Sequence, residues 1–179
     1  IPLTEPDSVA ESIVRIDEEH GFLWYVARSS ATRINGQLHR AKLDGSGSVR
    51  LTPEDMNWSS FRIAPDGSAF VATKEFVDTP PVSELFRIEG TKAVKVATLA
   101  CADQDPWAKA GVPKPEFLRI KAADGETELY GVLWKPSDFD PAKKYPLVVA
   151  TYGGPFFATI SARVQGPRAE CEFGVIVAS

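Results

Sequence analysis

Tyr145-Pro146-Leu147-Val148-Val149-Ala150-Thr151-Tyr152-Gly153-Gly154-Pro155 is a continuous apolar run that stops at paired glycines and a proline. An unbroken apolar run of this kind suits a strand in a sheet covered on both faces. Glycines directly after such a strand let the backbone turn sharply and let its N–H groups face a ligand. Tyr152 stands at the turning point, with a hydroxyl that can donate a hydrogen bond. The same residues also fit a core aromatic followed by a plain turn, and the tetrapeptide alone does not choose between the two.

Downstream, residues 157–170 read as weakly helical or irregular, and Val175-Ile176-Val177-Ala178-Ser179 reads as a second buried strand. Upstream, Phe117-Leu118-Arg119-Ile120-Lys121 and Glu128-Leu129-Tyr130-Gly131-Val132-Leu133-Trp134 flank the turn Ala123-Asp124-Gly125. A polar loop from Ser137 to Lys144 connects them to the apolar run. Before these, residues 101–115 are proline-rich and carry no periodicity, which is a linker signature. Trp107 is the residue expected to anchor that linker to a neighbouring surface.

The first hundred residues have another texture. Short alternating runs recur about every ten residues between turn signals, which predicts antiparallel β structure. Arg15-Ile16 matches Arg62-Ile63, and Leu38-His39-Arg40 matches Leu85-Phe86-Arg87, both at a spacing of 47 residues. Gly45 and Gly90 close the third strand of each set, 45 residues apart. Four strands in a unit of roughly 40–50 residues is the period of a β-propeller blade. Asp66-Gly67 supplies a tight hairpin turn, so Asp66 is a structural carboxylate. The expected architecture is therefore mainly β. Two four-stranded antiparallel propeller-type blades (1–100) and a linker (101–115) precede a segment (116–179) that holds the first strands of an α/β-hydrolase domain, which is incomplete.

Composition narrows the function classes. The chain has 179 residues, 44 % hydrophobic and 25 % charged, enough for a core. Net charge is −4 with no basic cluster, which argues against nucleic acid as the main partner. No apolar run reaches the roughly 18 residues of a membrane span. Two cysteines, Cys101 and Cys171, exclude a disulfide scaffold and leave one pairing open. Two histidines, His20 and His39, argue against a multi-histidine metal site, so no metal is expected. The chain opens on Ile1-Pro2 without methionine, basic n-region or apolar h-region, and it stops on a strand. The working expectation is a fragment whose compartment the sequence leaves unknown.

The order of blades, linker, hairpin, Lys143-Lys144-Tyr145-Pro146-Leu147-Val148-Val149, Tyr152-Gly153-Gly154-Pro155 and Val175-Ile176-Val177-Ala178-Ser179 resembles the prolyl oligopeptidase superfamily of serine peptidases, nearest its dipeptidyl peptidase IV branch. The resemblance runs over essentially the whole chain. It implies the last two propeller blades and the start of the hydrolase domain. In esterases of the α/β-hydrolase type the loop after this strand carries a His-Gly-Gly oxyanion motif. Here Tyr152 takes the histidine position. The resemblance implies Tyr152 as oxyanion donor, Gly153 and Gly154 as its loop, a peptide as substrate of the parent protein, and no cofactor.

The family's Gly-x-Ser-x-Gly nucleophile motif does not occur in these residues, and Gly45-Ser46-Gly47-Ser48 has the wrong spacing. His39 occupies the place of Phe86 in the repeat and reads as a packing residue, while His20 lies in the turn Glu18-Glu19-His20-Gly21. No Ser-His-Asp triad can be assembled. Two classes of function therefore stand. One is an inactive piece of a dipeptidyl-peptidase or acylaminoacyl-peptidase type exopeptidase. The other is a non-catalytic propeller-type binding module. A complete small esterase with an unusual nucleophile is a weaker third. Exposed strand edges near 145–151 or 173–178 are expected to make the isolated chain self-associate.

Overall fold

The computed structural model describes residues 3–4, 8–28, 33–102, 105–152 and 160–179. The chain is mainly β, with twelve strands in three four-stranded sheets among the described residues. It divides into two compact units. The first comprises residues 1–75 and 81–101, the second residues 76–80 and 102–179.

The first unit holds two antiparallel meanders. One is β1 (Val9–Asp17), β2 (Phe22–Arg28), β3 (Gly36–Lys42) and β4 (Ser48–Arg50), in that order. The other is β5 (Asn57–Ile63), β6 (Ala69–Phe76), β7 (Thr79–Glu89) and β8 (Lys92–Cys101). Every strand expected from the alternating pattern is present. The strands extend beyond the apolar runs where polar residues complete the ladders.

The hairpin between β5 and β6 shows why its residues sit there. Gly67 has φ 68°, a conformation open to glycine at little cost. Asp66 Oδ1 accepts from the Ser68 N–H at 3.0 Å and from its hydroxyl at 2.8 Å. These hydrogen bonds, with the Ser68 backbone contact first, hold the Asp66 carboxyl below the usual carboxylate range. Asp66 is a turn residue.

The two sheets meet face to face. Trp24, Leu38 and Leu51 of the first pack with Trp58, Phe61, Phe70, Ala72 and Phe86 of the second in one core cluster. Phe86 stacks on Phe70 at 4.9 Å and meets Trp58 edge-on at 5.4 Å. Aromatic pairs in these geometries stabilise beyond their buried area. Glu84 is buried on the Phe86 side of β7, where Lys74 and Lys95 both donate to its Oε1 at 2.9 and 2.5 Å. Burial works to raise its pKa, but the hydrogen bonds from Lys95 and Lys74 outweigh burial and keep it ionised.

The opposite face of the first sheet carries a smaller cluster of Leu23, Tyr25, Ala27 and Ala41, with Leu3 and Leu43 against it. His39 lies here, 5 % exposed, its ring stacked 5.2 Å from Tyr25. Neither ring nitrogen has a hydrogen-bond partner among the described residues. It packs as Phe86 packs in the next sheet. Burial pushes its pKa from 6.5 down to about 4, with Arg50 acting the same way and Glu54 against. The unfolded chain therefore takes up this proton first as pH falls. Stability that is complete above pH 6.5 is lost progressively as pH drops toward 4, by about 3 kcal/mol in all. Urea midpoints measured from pH 7 to pH 4 should fall along this window. His39→Phe should flatten the fall, and an unchanged slope in that variant would refute the assignment.

The second unit is built on the sheet β11–β12–β10–β9. β9 (Glu116–Lys121) and β10 (Glu128–Trp134) form an antiparallel hairpin. β11 (Leu147–Val149) and β12 (Ile176–Ala178) run parallel, and β12 is antiparallel to β10. The apolar core is Val77, Val132, Trp134, Cys171 and Val177, with Phe76, Phe117, Ile160 and Val175 around it.

Two features of this unit differ from the sequence expectation. The run 145–152 shortens to a three-residue strand, and its apolar residues are exposed: Leu147 58 %, Val148 49 % and Val149 61 %. β11 is the edge strand, with nothing in the described residues laid over its faces. The run 173–178 offers no edge, because β12 is paired on both sides, to β10 and to β11.

The proline-rich stretch contains a short helix, α1 (Pro106–Ala110). Asp105 caps it by accepting from the Trp107 and Ala108 N–H groups at 3.0 and 3.1 Å, and Pro106 fits the first turn because its missing N–H is not needed there. Gly111 closes the helix in the left-handed region, φ 67°. Trp107 is fully buried, and its Nε1–H donates to the Gln165 carbonyl at 2.9 Å. The tryptophan anchors the segment as its position in a proline-rich stretch suggested. Cys101 and Cys171 are both free thiols, the second buried, which pushes its pKa up.

Candidate functional site

The parallel pair β11 and β12 organises the site. Leu147, Val148 and Val149 lie opposite Ile176, Val177 and Ala178. The Ile176 N–H donates to the Pro146 carbonyl at 2.9 Å, and the Ala150 N–H to the Ala178 carbonyl at 2.8 Å. Both strands thus end at the same edge of the sheet, and the residues after β11 share that edge with Ser179. In open sheets with parallel strands, ligands collect beyond the carboxyl ends of the strands. Ser179 is locked to β10, exchanging both backbone hydrogen bonds with Val132 at 2.9 and 3.0 Å.

Tyr152 stands three residues past β11 on this edge and is 58 % exposed. A phenol presented beyond a parallel strand can serve as a hydrogen-bond donor to a substrate oxygen. Gly153 and Gly154 lie outside the described residues. The approach to β11 is fixed by Tyr145, whose hydroxyl oxygen accepts from the Asp140 N–H at 2.8 Å and whose ring packs 5.2 Å from Phe139. Behind the sheet edge, Val132, Trp134, Ile160, Ser161, Gln165, Arg168 and Ser179 line a small cleft. The Trp134 Nε1–H donates to the Gly166 carbonyl at 3.0 Å, and the Arg168 guanidinium lies 4.8 Å over the Trp134 ring. These contacts pin the segment that returns the chain to β12. Sequence reading did not single out Arg168 or Gln165, because a cation over a tryptophan 34 residues away leaves no local pattern.

The histidines do not join Tyr152 in a catalytic array. His39 is a packing residue of the first unit. His20 sits at the turn after β1, where its Nδ1 lies 3.0 Å from Asp17 Oδ1 and its N–H donates to the same oxygen at 3.1 Å. Asp17 is also held by Arg15 at 3.2 Å. The hydrogen bond from His20 leads the causes that keep the Asp17 carboxyl below its ordinary range. This is a capped turn. Among the described residues no group of three or more His, Cys, Asp or Glu side chains could hold a metal ion, and no helix is long and apolar enough to cross a membrane.

No family profile matches the chain. Individual proteins do. Human dipeptidyl peptidase 8 is 44 % identical over 54 residues, which is 30 % of this chain and 6 % of that protein. A protein of Emericella nidulans named "probable dipeptidyl peptidase 4" is 25 % identical over 187 aligned positions, covering 100 % of this chain and 22 % of its own length. The crystal structure of Porphyromonas gingivalis dipeptidyl peptidase 4 superposes with a TM-score of 0.72 at 22 % identity, covering 98 % of this chain and 25 % of that one. The chain therefore spans a quarter or less of the length of these relatives. Its fold is that of a β-rich, propeller-like part of a serine peptidase of the prolyl oligopeptidase superfamily. Within that superfamily the relatives place the resemblance in the dipeptidyl peptidase IV branch.

Proposed function

We propose that this chain is the junction of a dipeptidyl-peptidase-type serine exopeptidase. On this reading the sheets β1–β4 and β5–β8 are two propeller blades, residues 101–115 are the linker, and residues 116–179 begin an α/β-hydrolase domain. The parent enzyme hydrolyses short peptides by acyl transfer: a serine attacks the scissile carbonyl, a tetrahedral intermediate forms, and water releases the acyl group. Tyr152, with Gly153 and Gly154 as its loop, supplies an oxyanion donor. The nucleophile and its acid–base partners come from outside these 179 residues, so the chain alone is inactive. The observation that carries this reading is the placement of Tyr152 beyond the carboxyl end of a parallel strand, in a chain aligned along its whole length with dipeptidyl peptidases.

The test is hydrolysis of an Xaa-Pro p-nitroanilide by the full-length protein that contains this chain. Turnover abolished by a fluorophosphonate is the expected result. Absence of turnover on both Xaa-Pro and Xaa-Ala substrates, or fluorophosphonate labelling of the 179-residue chain itself, would overturn it.

The same reading accounts for the bare edge of β11. Leu147, Val148 and Val149 have the composition of a covered strand, and the rest of a hydrolase sheet would cover them. An apolar unpaired edge is a template for another chain. The 179-residue chain by itself is expected to self-associate through β11. Light scattering across a concentration series reads this directly: Val148→Lys should restore a monomer, whereas a wild-type chain that stays monomeric at high concentration would contradict it.

A further inference from the structure

The two sheets of the first unit are related by the 47-residue repeat, and the structure shows what the repeated arginines do. Arg15 and Arg40 both stand opposite Trp24 in their ladders, on the face of the first sheet that meets the second. Arg15 donates to the Ala64 and Pro65 carbonyls in the β5–β6 turn, both at 2.6 Å. Arg40 donates to the Gly90 carbonyl at the end of β7 while its guanidinium lies over the rings of Phe22 and Trp24. Two arginines thus clasp two turns of the following sheet, one at each end of the contact. Between them Trp24 and Leu38 are 1 % and 0 % exposed.

Arg62 and Arg87 hold the equivalent places in the second sheet. Arg62 lies opposite Val71, and Arg87 opposite Val94, as Arg15 lies opposite Trp24 and Arg40 opposite Val49. An irregularity in the ladder immediately precedes Arg15 in β1 and Arg62 in β5 alike. The face used by the second sheet toward the first carries Phe70, Ala72, Phe86 and Ile88, so Arg62 and Arg87 project from the other face. There they have only local partners, the Phe61 carbonyl at 2.9 Å and Glu89 at 2.6 Å, and both are exposed. Val71 and Leu85, at the places of Trp24 and Leu38, are half-buried, and Val94 is 41 % exposed.

We infer that Arg62, Arg87 and the Val71–Leu85–Val94 surface between them form a docking face for one more four-stranded antiparallel sheet of the same pattern. Their guanidiniums donate to the carbonyls of its first turn and of the end of its third strand. The contact continues an interface that this chain already makes once, arginine for arginine. The occupant is a sheet of the same longer polypeptide: three quarters of the solved dipeptidyl peptidase chain lies outside the region matched here. The inference rests on the reading of the chain as part of a longer β-rich peptidase and adds to it the residues of the contact.

The experiment is arginine modification by phenylglyoxal on the intact source polypeptide, read peptide by peptide in mass spectrometry against the same protein unfolded in urea. Arg15 and Arg40 serve as internal standards for an engaged arginine. Arg62 and Arg87 are expected to react about tenfold more slowly than in the unfolded protein, as Arg15 and Arg40 do, because charge-assisted hydrogen bonds must open first. Reaction of Arg62 and Arg87 at the unfolded rate, with Arg15 and Arg40 protected, overturns the proposal. Protection that disappears on dilution would assign the face to a second copy and also overturn it. The readout needs no turnover, so failure of the peptidase assay and failure of this inference are separate results.

Discussion

Phe86→Ala is expected to cost about 3–5 kcal/mol of folding stability, the range for truncating a well-packed buried phenylalanine. The residue is 3 % exposed at the centre of the contact between the two sheets of the first unit. It stacks on Phe70 and receives the edge of Trp58, so truncation removes both aromatic contacts and opens a cavity between rigid ladders. Neither sheet can collapse into that space without breaking its own register. Phe86→Leu keeps most of the volume and should cost less than about half as much. Urea denaturation of the two variants and the parent, followed by tryptophan fluorescence, measures the difference. A cost below about 1 kcal/mol for the alanine variant, far under the usual range, would mean that the sheets are held together elsewhere. The arginine clasps at Arg15 and Arg40 would then be the first alternative.

The repeat that makes this contact was legible because it is local. Period-two alternation places Phe70, Ala72, Phe86 and Ile88 on one face, and the 47-residue spacing relates them to Leu23, Tyr25, His39 and Ala41. His39 could be read as a packing residue from that spacing alone, and its stacking on Tyr25 bears this out. The second unit was less legible. Its strand order β11–β12–β10–β9 joins segments far apart in sequence, and no local pattern says that β12 lies inside and β11 at the edge. The continuous apolar run of β11 describes a covered strand, whereas the 179 residues leave it bare. The helix α1 escaped a periodicity search because it is five residues long and opens on a proline. Its capping residues, Asp105 and Gly111, were the available signal. Of the site, Tyr152 stands where the sequence motif put it, past the end of β11. The Arg168–Trp134 contact that steadies the return to β12 is a long-range pairing with no trace in the motif.

Tyr152→Phe in the full-length protein is expected to lower kcat by about 10²–10³-fold, the usual effect of removing one oxyanion donor. The argument is geometric and energetic together. The phenol stands on the edge where β11 and β12 both end, and its ring needs no repacking when the hydroxyl is lost, since the residue is 58 % exposed. Folding should therefore be unchanged within about 0.5 kcal/mol, as for most exposed substitutions. A hydrogen bond that strengthens only as negative charge develops on the substrate oxygen lowers the barrier without tightening ground-state binding. The loss should fall on kcat, with KM nearly constant, and kcat/KM should drop in the same proportion. A tyrosine that merely shaped the substrate pocket would instead raise KM and leave kcat within a few-fold. Steady-state kinetics on an Xaa-Pro p-nitroanilide, together with the urea midpoint of the variant, separates the two roles. A kcat within about threefold of the parent would remove Tyr152 from the oxyanion site and leave the backbone N–H groups of that loop to carry the charge.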